Sequence, residues 1–138
     1  MKKITILFDF EGWWEAPYRG KFDINKNTNR ILKVLDRYKA KAVFNTCGVV
    51  AEFFPDLVKK IHEKGHEIAS HGYRHENFIQ LSSKELNNVL KKTEDIIKKI
   101  TGSKLAGVRC PWLIHNKKVY SVIKNRGYEW VSNQYTPF

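Results

Sequence analysis

The stretch KAVFNTCGVVAEFFPDLVKKIHEKGHEIASHGYRH (Lys41–His75) decides the fold. It opens on Lys41–Thr46, an apolar run rich in β-branched and aromatic side chains, which suits a buried parallel strand ending near Gly48. Pro55 fits the first turn of a helix whose Leu57, Val58 and Ile61 form one stripe and which Gly65 stops. His66–Ser70 (HEIAS) then reads as a second short strand. Strand, helix, strand is the repeating unit of a parallel sheet.

The same alternation extends in both directions. Upstream, Ile4–Phe10 reads as a strand, followed by a helix capped by Asn27 or Thr28 and carrying Ile31, Leu35 and Tyr38. Downstream, Ser82 and Glu85 make an S-x-x-E capping box, with Leu86, Leu90, Thr93, Ile97 and Ile100 at helical spacing and Gly102 as the stop. Ala106–Cys110 predicts a fourth strand, Asn116 the start of a helix ending at Gly127, and Tyr128–Ser132 a fifth strand. No repeat, linker or low-complexity segment interrupts the series. The expectation is one α/β domain over residues 1–138, its sheet either open or curled toward a barrel.

Composition agrees. A chain of 138 residues with 42% hydrophobic and 13% aromatic content can bury a single core and is not disordered. The net charge of +11 comes largely from lysines scattered along helix faces, with no arginine cluster or nucleic-acid motif, so it reads as a solvated surface. No apolar run reaches bilayer length, and MKKITILFDFEGWWE is broken by Asp9 and Glu11 and lacks a small-residue cleavage site. The expected location is therefore cytoplasmic, with no membrane or nucleic-acid partner. Cys47 and Cys110, without C-x-x-C spacing, are expected as reduced thiols.

Four of the five histidines lie in HEKGHEIASHGYRH (His62–His75). His62 and His66 spell H-E-x-x-H, but zinc-protease chemistry needs both on one unbroken helix. Gly65 lies between them at a helix end, and HEIAS continues as a strand. His71 and His75 follow a strand into a polar loop, where the same spacing can place two imidazoles about a zinc ion. Asp9 and Glu11 end the first strand at alternate positions, so both project to one side. One could bind metal while the other acts as a base, or both could pair with Arg109. Ligand sites in parallel α/β folds gather where strands end, and Asp9, Glu11, Cys47, His71 and Arg109 to Trp112 all fall there.

FDFEGWWE (Phe8–Glu15), the segment from Asn27 to Glu76 containing GHEIASHGYRH, and GVRCPW (Gly107–Trp112) together resemble the polysaccharide deacetylases, the NodB-type proteins of carbohydrate esterase family 4. The likeness runs in order from Ile4 to Tyr128. It implies a deformed (β/α) barrel, here truncated to about five β/α units with its C-terminal part missing. It implies one divalent metal, most often zinc, and removal of acetyl groups from N-acetylated sugars. Residue by residue, the resemblance makes Asp9 the base and Glu11, in a D-x-E version of the first motif, a metal ligand beside His71 and His75. The R-x-P motif becomes Arg109 and Pro111, with Arg109 orienting Asp9 and the Trp112 N–H facing the oxyanion. Leu113 stands where a glycine often follows. Trp13, Trp14, Tyr73, Pro111 and Trp112 could line the substrate. The family's general-acid histidine would lie beyond Phe138, so a homo-oligomer could complete the short barrel. Two alternatives remain open: a cyclic imide or ureide hydrolase of the same fold, and a non-catalytic module binding glycan or polyanion.

Overall fold

A computed structural model of the chain describes residues 4–11 and 23–133. The elements run β1 (Ile6–Phe10), α1 (Ile24–Arg37), β2 (Ala42–Thr46), α2 (Gly48–Phe53), α3 (Pro55–Glu63), β3 (Glu67–Ser70), α4 (Ser83–Thr101), β4 (Gly107–Val108), a 3₁₀ turn (Pro111–Leu113), α5 (Lys117–Asn125) and β5 (Trp130–Val131). All neighbouring strands pair parallel, in the order β1-β2-β3-β4-β5. A doubly wound sheet reverses its strand order and carries helices on both faces. This one does neither.

The strands alternate cleanly between two faces. Phe10, Phe44 and Ile68 face the helices and join Leu32, Leu35, Leu57, Val58, Ile61 and Ile97 in one core cluster. Val108 joins Phe78, Leu86, Leu90, Val119 and Ile123 in a second. The opposite, lumen-facing side carries Leu7, Asp9, Val43, Asn45, Glu67, Gly107, Arg109, Trp130 and Ser132. Consecutive strand order with the helices packed on one face describes a sector of a (β/α) barrel. Each fully buried Leu, Ile or Phe of these clusters contributes about 1.5–3 kcal/mol.

The capping box of α4 forms as expected: Glu85 N–H donates to Ser82 Oγ (3.2 Å), and Ser82 N–H donates to Glu85 Oε2 (2.7 Å). Gly102 closes the helix in the left-handed conformation at φ 75°. Asn116 caps α5 through Val119 N–H at 3.0 Å. Helix α1 corrects the sequence reading. Its cap is Asp23, whose Oδ1 accepts Lys26 N–H at 2.8 Å, and its buried stripe is Ile24, Thr28, Leu32 and Leu35. Tyr38 is the C-cap and is 71% exposed. The expected stripe was rotated because Ile24, the apolar residue that sets its phase, stands alone ahead of a polar run. Helix α2 was not anticipated at all, being only six residues long. Strands β4 and β5 are two residues each, shorter than expected.

Candidate active site

The parallel ladder places the site residues, because its hydrogen bonds run past the strand ends. Cys47 N–H donates to Phe10 O (3.2 Å), His71 N–H to Thr46 O (3.0 Å) and Arg109 N–H to Ser70 O (2.9 Å). The residues that leave each strand are thereby held level with one another. The HGYRH loop is pinned from behind by α2, whose Gly48 and Val49 N–H groups donate to Gly72 O and Tyr73 O, both at 2.9 Å. Thr93 Oγ1 of α4 also donates to Gly72 O (3.0 Å), and Cys47 Sγ to His71 O (3.3 Å).

Three ligand-type side chains converge on this rim. Glu11 Oε2 lies 2.6 Å from His71 Nε2 and 2.9 Å from His75 Nε2. His71 is buried, and its Nδ1 stands 2.7 Å from Arg109 O. A carbonyl only accepts, so Nδ1 carries a proton and Nε2 is the ring nitrogen turned toward the carboxylate. Glu11 Oε2 is itself buried and, among the described residues, has no hydrogen-bond donor by geometry. Burial pushes the Glu11 carboxyl up, but its close contact with His71 and the charges of His71, His75 and Arg109 outweigh that and hold it below its ordinary value. One carboxylate oxygen and two imidazole nitrogens, all within 4.8 Å of one another, fit a divalent cation. His₂Glu is a donor set that zinc takes in hydrolases, leaving a position open. The Nδ1–H contact with Arg109 O also fits, since a ligating histidine commonly donates its other N–H to a backbone carbonyl.

Beside this triad, Asp9 Oδ1 accepts from Asn45 Nδ2 at 2.8 Å and lies 3.2 Å from Arg109 Nε. Arg109 Nη1 donates to Ser132 Oγ (3.2 Å), and Asn133 Oδ1 accepts Cys110 N–H (2.8 Å), so the RCPW loop is tied to the residues after β5. Trp112 is 58% exposed, with its ring centroid 4.2 Å from that of His75. Its N–H stays out of the turn's own hydrogen bonds, which run from Leu113 to Cys110 and from Ile114 to Pro111. Leu113 adopts φ 61°, the left-handed conformation that glycine favours, and Trp112 (φ 51°) and His75 (φ 60°) do the same. Among the described residues only Lys39 is a further non-glycine case. Such conformations cost about 1–3 kcal/mol each and collect at functional sites.

Other expected residues fall elsewhere. The Tyr73 ring lies under Lys92 Nζ (3.5 Å to the centroid), and its hydroxyl donates to Glu52 Oε2 (2.5 Å). It is half-buried and packs between α2 and α4. Pro111 is buried and sets the 3₁₀ turn. Trp13 and Trp14 lie outside the described residues. HEKGH divides as expected: His62 ends α3 with Nε2 3.3 Å from Ser103 Oγ, and buried His66 accepts Ala42 N–H at Nδ1 (3.3 Å). Both cysteines are free and buried. Sequence reasoning missed Asn45, Ser132 and Asn133. Asn45 did leave a signal, as a polar residue inside an apolar strand at the position paired with Asp9.

Comparison with known proteins follows the same lines. The polysaccharide deacetylase family model matches residues 1–131. Over 124 residues the chain is 31% identical to a peptidoglycan deacetylase of Helicobacter pylori, covering 87% of this chain and 42% of that protein. Over 100 residues it is 33% identical to a peptidoglycan-N-acetylglucosamine deacetylase of Bacillus cereus, covering 71% of this chain and 36% of that one. The chain thus spans less than half the length of these curated relatives. Among solved structures, peptidoglycan deacetylase PdaC from Bacillus subtilis superposes with a TM-score of 0.75 at 27% identity, over 93% of this chain and 56% of that one. A wild-type CE4-family pseudoenzyme from Bacillus anthracis superposes with a TM-score of 0.79 at 25% identity, over 94% and 43%. The order of the motifs, the barrel-sector topology and these matches agree: the chain belongs to the polysaccharide deacetylase family.

Proposed function

We propose that the chain is a metal-dependent hydrolase that removes an acetyl group from the amide nitrogen of an N-acetylated sugar or glycan. The observation that carries this is the convergence of Glu11, His71 and His75 on one point beside an Asp9–Arg109 pair. Glu11 Oε2, His71 Nε2 and His75 Nε2 would hold the cation, with zinc the best match to the donor set. Bound there, a divalent cation polarises the amide carbonyl and acidifies water. Asp9 removes the proton of the attacking water, as a general base within reach of the same opening. Arg109 aims Asp9, with its own position set by Ser132. The Trp112 N–H donates to the developing oxyanion. The exposed Trp112 face against His75 offers an apolar edge on which a sugar ring can stack.

Relatives whose names specify peptidoglycan support a glycan substrate. The compartment, cytoplasmic on the sequence reading, then decides between a soluble N-acyl sugar and assembled polymer. The test is acetate release from N-acetylated chito-oligosaccharides and muropeptides by the zinc-loaded protein, with Asp9→Asn abolishing turnover while the cation stays bound. Turnover of a cyclic imide by metal-free protein, or full activity in Asp9→Asn, overturns the reading.

A further inference from the structure

Asn45 stands one residue before the end of β2, fully buried, with Val43 as the other lumen-facing residue of that strand. A buried side-chain amide is unfavourable unless its hydrogen bonds are made. One is made: Nδ2 donates to Asp9 Oδ1 at 2.8 Å across the register pair Asp9–Asn45. The direction of the amide follows from chemistry, because turning it over would set its oxygen against an ionised carboxylate that only accepts. Among the described residues the other end is not satisfied, since Asn45 Oδ1 is buried without a partner there. An apolar residue would suit the strand better than this half-satisfied amide. Residues that break a local rule in this way gather where function holds them.

The Asn45 donor and the Arg109 guanidinium approach the same atom. Arg109 Nε lies 3.2 Å from Asp9 Oδ1, reaching it from β4 while Asn45 reaches it from β2. Among the described residues Oδ2 of Asp9 accepts no hydrogen bond, and the Asp9 side chain is 36% exposed. The two carboxylate oxygens are therefore in different situations, one clamped and one open. We propose that Asn45 is a positioning residue for Asp9. It and Arg109 hold Oδ1, and Oδ2 is the oxygen that takes the proton in hydrolysis. In that step the water O–H bond breaks and its proton goes to Oδ2. The water oxygen bonds to the amide carbon, and the carbonyl π electrons pass to the amide oxygen. This rests on the deacetylase reading and adds to it a residue from β2.

The test compares wild-type protein with Asn45→Leu, which keeps the forked side-chain shape and removes the donor. Loss of the clamp lets Asp9 rotate, and a misplaced base lowers kcat by about 100-fold. KM for an N-acetylated chito-oligosaccharide stays within about threefold, as expected when an interaction made at the transition state is lost. Bound zinc per chain is unchanged, and Tm is equal or higher because an unsatisfied amide has been removed. A merely structural role for Asn45 would instead lower Tm and leave kcat in place. The contact itself is read without turnover by NMR. One Asn45 side-chain amide proton resonates downfield, and that shift disappears in Asp9→Ala. Wild-type kcat in Asn45→Leu, or an amide resonance indifferent to Asp9→Ala, overturns the proposal. A wild-type protein that releases no acetate overturns the deacetylase reading and the proton step with it, while the amide resonance still decides the Asn45–Asp9 contact.

Discussion

Gly107→Ala tests the geometry of the lumen directly. A Cβ at Gly107 would lie 1.9 Å from Cε2 and Cζ2 of Trp130 and 2.4 Å from Cδ2, so the indole must leave. Gly107 lies outside the left-handed region, so the backbone itself accepts alanine. Leaving breaks the hydrogen bond from Trp130 Nε1 to Glu67 Oε1 (2.8 Å) and lifts the ring off β4. Overpacking and the lost, partly exposed hydrogen bond together cost about 2 kcal/mol. At about 2.1 cal/mol/K of unfolding entropy per residue and 138 residues, Tm falls by about 7 °C. Trp130 begins β5, and Ser132 and Asn133, just after that strand, hold Arg109 and Cys110. The displacement is therefore expected to lower kcat as well as Tm. The control is a double-mutant cycle read by urea unfolding. In a Trp130→Ala background Gly107→Ala is expected to stabilise by about 0.5 kcal/mol, through the lower entropy of the unfolded chain. An equal cost of Gly107→Ala with and without Trp130 would refute the clash.

Further outcomes follow from other parts of the structure. Removing a ligand by His71→Ala, His75→Ala or Glu11→Gln is expected to weaken zinc binding more than the roughly 100-fold typical of outer-sphere changes. His62→Ala leaves it intact, because His62 faces Ser103; metal analysis after chelator-free purification checks this, and metal loss in His62→Ala refutes it. Burial and the Lys41 charge lower the His66 pKa below 6.5, against the opposing pull of Asp36. The unfolded chain then binds this proton at higher pH than the folded one, so His66 leaves stability whole above about pH 6.5 and reduces it as pH falls toward the depressed folded value. His66→Gln should flatten that part of the urea stability profile; an unchanged slope counts against the assignment. Burial, then the Glu11 and Glu76 carboxylates, push the Cys47 thiol up, and burial pushes Cys110 up to about 11. At about pH 8 neither should react with a thiol reagent until the protein is unfolded, and a fast native thiol would show one of them to be accessible.

Much of the fold was legible because its signals are local. The capping box of α4, the Asn116 cap of α5 and the apolar run of β2 each depend on a few adjacent residues, and each formed as read. HEKGH could be separated from HGYRH on Gly65 alone, since a left-handed residue at φ 76° ends the helix between the two histidines. The failures were also local in origin. Ile24 sits too far from the next apolar residues for the phase of α1 to be counted, and α2 is too short to show a period. Tyr73 sits inside the ligand motif, yet its side chain turns outward to Glu52 and Lys92. Spacing along a loop does not say which way each side chain turns.

The sequence by itself determined the alternation of elements, the family and the residue types of the site, since periodicity, caps and motifs are properties of neighbouring residues. Only the tertiary structure decided whether the sheet stays open or curls, because strand order and the side on which helices pack depend on contacts between distant segments. The same holds for the site. Glu11 is 60 residues from His71 in the chain but 2.6 Å from it in space, and Asn45 acquires its contact with Asp9 only through the register of β1 on β2. Hydrogen bonds that continue past the strand ends bring these side chains to one level, and that alignment is a property of the sheet.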